Sequence, residues 1–262
     1  MYRLLAAVAA SLILIFLVLP LVAVFTSLQW TQVVVNLYDP LVFSAMRLSL
    51  VTSIISVAAS VLLGTPLAYI LARGHFRGKR LVGALVELPM VLPPAVAGVA
   101  LLLAFGRQGL VGRYLGFGLS FSTLAVILAQ VFVAAPLYIR AARGSFTAVD
   151  LDLERVSLTL GVPPSRTFYR VTIPLSLPGL FGGMIMTWAR AMGEFGATIM
   201  FAGNLQGVTR TLPLAIYTAM QSDFSAAMVM SALMIIVSVA VLLLARGVLR
   251  HPEWGEGSVA EH

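Results

Sequence analysis

The chain has 262 residues, of which 60% are hydrophobic and only 10% charged, and its mean hydropathy is +1.00. This composition excludes an ordinary soluble domain and indicates an integral membrane protein. The net charge of +7 does not indicate a nucleic-acid-binding protein, because the chain has one lysine, Lys79, and its arginines lie in separated clusters. The absence of cysteine excludes disulfides, thiolate metal sites and cysteine nucleophiles.

Six apolar stretches approach or exceed the roughly 20 residues that a helix needs to cross a bilayer core. In chain order they are 4–28, 43–72, 81–105, 119–139, 175–201 and 224–245. The first is too long for a signal peptide and lacks a clean cleavage site. We therefore predict an all-α integral membrane protein with six transmembrane helices. A single transmembrane domain is expected over 1–250, with a disordered cytoplasmic tail at 251–262.

The third span contains three prolines within six residues, at 89, 93 and 94. Because proline lacks a backbone donor, the helix is expected to break or kink there. Broken backbone at membrane depth is tolerated only where it is buried in protein or lines a cavity. This pattern favours a pore-lining span, with Pro93, Pro94 and Gly98 as candidates for the pathway or gate. A kinked packing helix explains the same pattern.

A polar segment, 144–178, separates the fourth and fifth spans. Asp150 is positioned to cap a short helix that Gly161 ends in the left-handed conformation. The first turn of this helix is acidic, at Asp152 and Glu154, and its apolar side is large, at Leu151, Val156, Leu158 and Leu160. After two prolines, Ser165 is expected to cap a second helix, which Pro174 ends. We predict a helix-turn-helix at the membrane surface; the alternative is a solvated hairpin joining two spans.

The fifth span carries Arg190 and Glu194, four residues apart and hence on one helix face. They can neutralise each other where an isolated charge is costly. A structural ion pair and a substrate-binding site are both compatible with this spacing. Gly193 and Gly196 add a small-residue face suited to close helix packing, at a dimer or pore seam.

Lysine and arginine accumulate in cytoplasmic loops, so their distribution predicts the topology. Twelve of them fall on one side of the predicted spans: Arg3, Arg73, Arg77, Lys79, Arg80, Arg140, Arg143, Arg155, Arg166, Arg170, Arg246 and Arg250. Three fall on the other side: Arg107, Arg113 and Arg210. Both termini and the 144–178 segment are therefore expected to be cytoplasmic.

Motifs for catalysis are missing from the sequence. The only lysine lacks the glycine spacing of a P-loop, and neither an HExxH motif nor an intramembrane Ser-His pair can be assembled. We expect no enzymatic activity, and ATP hydrolysis, if used, belongs to another polypeptide. The chain has no internal repeat to support an inverted-repeat secondary transporter. An ion-coupled carrier that uses Arg190 and Glu194 as a relay stays the rival class.

Glu154, Gly161, Phe168 and the run from Ile173 to Leu175 resemble the EAA loop of permease subunits of binding-protein-dependent ABC importers. Where the family has two alanines, this chain has Val156 and Ser157. In that family the short helix is the coupling helix, which docks into a groove on the cytoplasmic ATPase subunit. The resemblance implies coupling roles for Glu154, Ser157, Leu160, Gly161 and Pro174.

Longer runs resemble the molybdate-type permeases: LPMVLPPAVAGVALLLAFGRQGLVG, VFVAAPLYIRAARGSFTAVD, ARAMGEFGATIMFAGN and TRTLPLAIYTAM, within residues 43–245. Sulfate/thiosulfate permeases share the ARA-GE pattern, which leaves molybdate, tungstate and sulfate open. The resemblance implies the type I ABC importer permease fold and a prokaryotic plasma (inner) membrane.

The same resemblance implies a homodimer with two ATPase subunits, which bind the ATP and Mg²⁺, and an extracytoplasmic oxyanion-binding protein. It places the pathway at the dimer interface. The mechanism that we expect is alternating access, in which ATP-driven closure of the ATPases moves residues 154–161 and thereby the third and fifth spans. No cofactor or metal is expected on this chain. We favour a structural role for the pair of Arg190 and Glu194, since a fixed unpaired cation would trap the anion that it must release.

Overall fold

A computed structural model of the chain describes residues 2–28, 31, 33, 36 and 38–249. All regular secondary structure in these ranges is helical, which confirms the all-α prediction for them. The helices are α1 (Tyr2–Thr26), α2 (Pro40–Arg73), α3 (Lys79–Val91), α4 (Pro94–Phe105), α5 (Gly112–Leu115), α6 (Thr123–Ala148), α7 (Leu151–Thr159), α8 (Pro164–Thr167), a π-helical turn (Phe168–Thr172), α9 (Ile173–Met192), α10 (Gly196–Ala202), α11 (Leu212–Ser222) and α12 (Phe224–Leu249). The predicted tail, 251–262, lies outside the described residues.

Within the described residues, five helical stretches are long and apolar enough to cross a membrane: α1, α2, α6, the continuous stretch Pro164–Met192, and Phe224–Ala245 of α12. α3 and α4 meet this criterion only as a pair, bent by 114° at residues 92 and 93, which makes a sixth span if the pair is taken as one. Each of the six predicted spans thus coincides with helical structure, five of them as candidate spans in their own right and the third as this bent pair, and the predicted break at the prolines is confirmed. Pro93 occupies the N-cap position of α4, and Pro94 begins that helix.

The prediction for the fourth span, 119–139, was wrong at both ends. Ser122 caps the helix by accepting a hydrogen bond from the Ala125 N–H, so α6 begins at Thr123. At the other end, Arg140 and Arg143 lie exposed on one side while Phe146 stays buried on another, and the helix continues to Ala148. The charged residues end the apolar run in the sequence, but the helix continues past them. The polar segment at the membrane surface therefore begins only after Ala148.

The predicted second helix of the polar segment is present, but its predicted cap and end were wrong. Pro163 and Pro164 occupy the N-cap and first positions of α8, and Ser165 lies inside the helix. Pro174 does not end a helix, because a π-helical turn precedes it and α9 continues through it to Met192. The wider turn, in which Ile173 N–H bonds to Phe168 O, accommodates a residue that has no N–H. The segment therefore leads directly into the membrane helix.

The fifth span, predicted as one helix over 175–201, is broken. α9 ends at Met192, residues 193–195 are non-helical, and α10 resumes at Gly196. Two of the six spans are thus interrupted, the third by its prolines and the fifth beside two glycines.

α6 is the central helix of the described bundle. The N-terminal half of α6 packs against α4 and α10 around Ala129 and Phe201, and its C-terminal half packs against α2 and α9 around Tyr138. Small residues allow this close approach: a Cβ added at Gly64 of α2 would lie 2.9 Å from Ile139, and one added at Gly183 of α9 would lie 2.8 Å from the Ala141 Cβ. By contrast, none of the residues of α1 is buried.

Candidate functional site

α7 begins and ends as its sequence predicts. The Asp150 carboxylate accepts a hydrogen bond from the Asp152 N–H at 2.9 Å and caps the first turn. Gly161 has φ +79°, the left-handed conformation expected of it. The Gly161 N–H bonds to Leu158 O and the Val162 N–H to Ser157 O, at 3.0 and 3.2 Å. This pair of bonds is a Schellman motif, which satisfies carbonyls at the C-terminus of the helix.

Glu154 faces inward from α7 and is buried. Its Oε1 lies 2.9 Å from Nη2 of Arg73, the last residue of α2, and accepts a second bond, also of 2.9 Å, from the Thr172 hydroxyl. Arg73 also donates to the Val149 carbonyl at 2.8 Å. The carboxylate therefore joins α7 to α2 and to the π-helical turn, and Arg73 extends the contact to the residue that follows α6.

Two further contacts hold the same side of α7 to the bundle. Ser157 and Thr167 share a buried hydrogen bond of 3.0 Å between their hydroxyls. Phe168 packs edge-on against Tyr69 of α2 at 4.7 Å between ring centroids, and Phe146 of α6 completes the cluster. The polar segment is therefore packed onto the ends of α2 and α6.

The opposite side of α7 is apolar and uncovered in the described chain. Together with the start of α9 it forms an open groove, lined by Leu153, Val156, Ser157, Leu160, Val162, Arg170, Val171, Pro174 and Leu175. Leu160 is 77% exposed, although it ends the helix beside the buried Ser157. Of the five predicted coupling residues, Leu160 and Pro174 lie on this outer groove. Glu154 points inward, Ser157 lies between the two sides, and Gly161 shapes the end of the helix.

Replacing Gly161 by valine is expected to displace the outer end of α7 and to lower transport. Apart from its chain neighbours, no atom of the described residues lies within 4 Å of a Cβ added at this position, so the cost is one of backbone conformation, about 1–2 kcal/mol for a residue forced into the left-handed region. Substrate-stimulated ATPase activity and uptake of the reconstituted complex measure the effect. Gly161→Asn is the matched control, since asparagine tolerates this conformation. An equal loss of ATPase activity and uptake in both variants, or no loss in either, would contradict this explanation.

The two interrupted spans meet at their breaks. A Cβ added at Gly196, the first residue of α10, would lie 2.5 Å from the Pro94 Cβ at the start of α4. One turn further on, a Cβ at Gly98 would lie 2.6 Å from the Met200 Cβ and 2.7 Å from the Ala197 carbonyl. α4 and α10 are therefore in backbone contact, and the absence of side chains at these two glycines makes that contact possible.

Arg190 and Glu194 form the predicted ion pair beside this contact, at 2.5 Å. Glu194 lies just beyond α9 rather than within it, and its other oxygen accepts the Ala197 N–H of α10 at 2.8 Å. Its side chain is 1% exposed, whereas that of Arg190 is 34% exposed. The carboxylate is thus enclosed, while the guanidinium reaches the surface of the subunit.

Gly193 makes no close contact within the described subunit, and its predicted place at a dimer or pore seam stays a prediction. Gly193 is exposed, and a Cβ added there would meet nothing nearer than 3.5 Å. Gly196 alone makes the close approach expected of the pair. The difference arises because the helix ends at Met192, which turns Gly193 away from the helix interface.

Sequence reasoning missed the partners that hold Glu154. The sequence indicated Arg73 only as a topology-determining charge and gave no sign of Thr172, nor of Thr167, which bonds to Ser157. No spacing rule connects Arg73 to a carboxylate 81 positions away. The available signal was that Arg73 directly follows a long apolar run, where a charged side chain lies near the membrane surface.

Comparison with known proteins identifies related sequences over most of the chain. Residues 64–251 match the family described as "Binding-protein-dependent transport system inner membrane component". The chain is 45% identical over 233 residues to the molybdenum transport system permease protein ModB of Mycobacterium tuberculosis, with 88% of each chain covered. It is 40% identical over 198 residues to the molybdate/tungstate transport system permease protein WtpB of Pyrococcus abyssi, with 75% of this chain and 76% of that one covered.

One solved structure shares the fold at low sequence identity. It is a bacterial alginate ABC transporter in complex with an alginate pentasaccharide-bound periplasmic protein, one chain of which has a TM-score of 0.77 to this chain. The two chains are 15% identical, and the superposition covers 98% of this chain and 96% of that one. At this identity the likeness concerns the fold alone.

Proposed function

Because the chain belongs to the family of binding-protein-dependent transport system inner membrane components, we propose that it is the membrane-spanning subunit of an ATP-driven importer for molybdate or tungstate. The observation that carries this proposal is the identity of 40–45% to permeases named for those two oxyanions. The fold, shared with a chain of a bacterial ABC transporter over nearly the whole length, agrees with this proposal without identifying the substrate.

ATP is hydrolysed by a separate subunit, which docks on the outer side of α7. The uncovered groove supports this assignment, because an amphipathic helix that buries one side and exposes apolar residues on the other is suited to insertion into a partner's groove. The buried contacts of Glu154 and Ser157 then carry the movement inward. ATP and Mg²⁺ are bound by that partner, and this chain needs no cofactor of its own.

Two copies of the chain enclose the pathway, and an extracytoplasmic binding protein delivers the oxyanion. The exposed, non-helical backbone at Pro93 and Gly193 supports an enclosed pathway, since such backbone at membrane depth is tolerated only in protein or beside water. Neither residue is buried within its own subunit. A second copy and the aqueous pathway are the environments that meet this requirement.

Both termini and α7 are expected to lie on the cytoplasmic side, as the twelve-to-three charge asymmetry predicts. A cysteine placed at Ser165 should react with a membrane-impermeant thiol reagent only from the cytoplasmic side, and one at Ser222 only from outside. The chain has no other cysteine to react. The reverse labelling pattern would invert the topology and remove the argument for ATPase docking at α7.

The proposed function is tested by uptake into proteoliposomes that contain this chain, its ATPase and its binding protein. We expect ATP-dependent accumulation of radiolabelled molybdate, inhibited by an excess of tungstate and unaffected by the same excess of sulfate. Inhibition by sulfate alone would assign the chain to sulfate/thiosulfate transport. Full uptake without the ATPase would instead establish an ion-coupled carrier.

A further inference from the structure

The surface around the two helix breaks does not face lipid. The non-helical residues Pro93 and Gly193 are both exposed on the described subunit, and α4 and α10 bring the two breaks together. Lipid has no groups to satisfy irregular backbone, so this surface borders water or a second copy of the chain. Arg190 lies three residues before Gly193, in the last turn of α9, and reaches the same surface.

Glu194 uses both of its oxygens, whereas Arg190 uses only part of its hydrogen-bonding capacity. One carboxylate oxygen pairs with Nη1 of Arg190 and the other accepts from the Ala197 N–H. Nε and Nη2 of Arg190 make no hydrogen bond to another described residue. A guanidinium held in place through one nitrogen, with the other two open to the surface, presents donors in the geometry that oxyanions accept.

The charge balance of the pair suits passage of an anion. An isolated arginine at membrane depth is costly and would hold a dianion in both states of the transporter. Here the buried carboxylate cancels the charge of the arginine at short range and leaves its N–H donors available. The pair therefore offers directional hydrogen bonds without a full net charge, which favours a contact that forms and breaks readily.

We propose that Arg190 is a transient oxyanion contact of the translocation pathway, and that Glu194 sets the strength of that contact. This proposal rests on the proposed function as an oxyanion permease. It extends the ion-pair interpretation, because Glu194 keeps a structural role in the pair while Arg190 also faces the substrate. Arg190 is the residue that contacts the substrate, and Glu194 is the positioning residue.

The test uses the complete complex with its ATPase and binding protein, reconstituted in proteoliposomes, with radiolabelled molybdate as the probe. Uptake by the wild-type complex is measured first, so that failure of the proposed function is seen before any variant is compared. Each variant is then scored for assembly in detergent, for ATPase activity stimulated by the loaded binding protein, and for molybdate imported per ATP hydrolysed.

Arg190→Lys is the decisive variant, because lysine keeps the ion pair with Glu194 and loses the planar fork of donors. We expect normal assembly and ATPase activity within about twofold of wild type. Molybdate imported per ATP should fall about tenfold, the loss that accompanies removal of one charge-assisted hydrogen bond. An unchanged ratio of import to ATP hydrolysis in an assembled Arg190→Lys complex would overturn the proposal.

The double-mutant cycle separates folding from transport. Arg190→Gln and Glu194→Gln each leave one charge uncompensated and are expected to assemble poorly. The double variant should recover assembly and still import at least tenfold less molybdate per ATP. If the double variant recovers both assembly and molybdate import per ATP, the pair has a purely structural role and the proposal is overturned.

Arg47→Gln is the control, because Arg47 is an exposed arginine of α2 with no bonded partner in the described chain. This variant should import normally, and a loss equal to that of the Arg190 variants would also overturn the proposal.

Discussion

The Glu154→Gln variant is expected to lose most substrate-stimulated ATPase activity and uptake, although glutamine has nearly the same shape as glutamate. The side chains of Arg73 and Glu154 are only 14% and 12% exposed, so removing the carboxylate charge leaves a buried arginine uncompensated. Breaking a buried pair in this way costs about 3–5 kcal/mol. This free-energy cost weakens the docking of α7 against α2 and the π-helical turn, and hence the transmission of movement from the ATPase.

The neighbouring exposed pair provides a control on the same helix. Asp152 and Arg155 are also 2.9 Å apart, but their side chains are 74% and 71% exposed. Exposed pairs contribute between nothing and about 1 kcal/mol, so Asp152→Asn should behave as wild type. Arg73→Gln should reproduce the loss of Glu154→Gln, and combining the two should recover part of it. Identical behaviour of Glu154→Gln and Asp152→Asn would contradict the anchoring role.

Gly98→Ala is expected to destabilise the subunit and to lower uptake, although it adds a single methyl group. That methyl would lie 2.6 Å from the Met200 Cβ and 2.7 Å from the Ala197 carbonyl, atoms that move only if α10 moves. Inserting a group into a closely packed contact costs about 1–3 kcal/mol. Thermal unfolding of the detergent-purified complex and its uptake after reconstitution provide the two measurements.

Gly182→Ala in α9 is the matched control. Nothing within the described chain lies within 4 Å of a Cβ added at Gly182, and alanine is the better helix former by about 1 kcal/mol. This variant should therefore be as stable as wild type or slightly more so. A Gly98→Ala complex that unfolds at the same temperature as the Gly182→Ala complex would show that α4 and α10 are not held in the contact described.

Local chemistry made part of this protein predictable from sequence alone. The membrane class follows from composition, and the caps at Asp150 and Gly161 follow from residue types that act within one helical turn. The break before Pro94 follows from missing backbone donors, and the pair of Arg190 and Glu194 from a four-residue spacing. Apart from composition, each of these signals operates over a few neighbouring residues, which is the range that a single sequence reports directly.

Packing decided the rest. Charged residues did not end α6, because the helix carries Arg140 and Arg143 on an exposed side while burying Phe146. Nor did Pro174 end a helix, because a π-helical turn accommodates it. The pairing of Glu154 with Arg73, and the contact of Gly98 with α10, join residues far apart in the chain. Only the tertiary structure specifies them, since close helix packing and the burial of a charge depend on which surfaces meet in the folded chain.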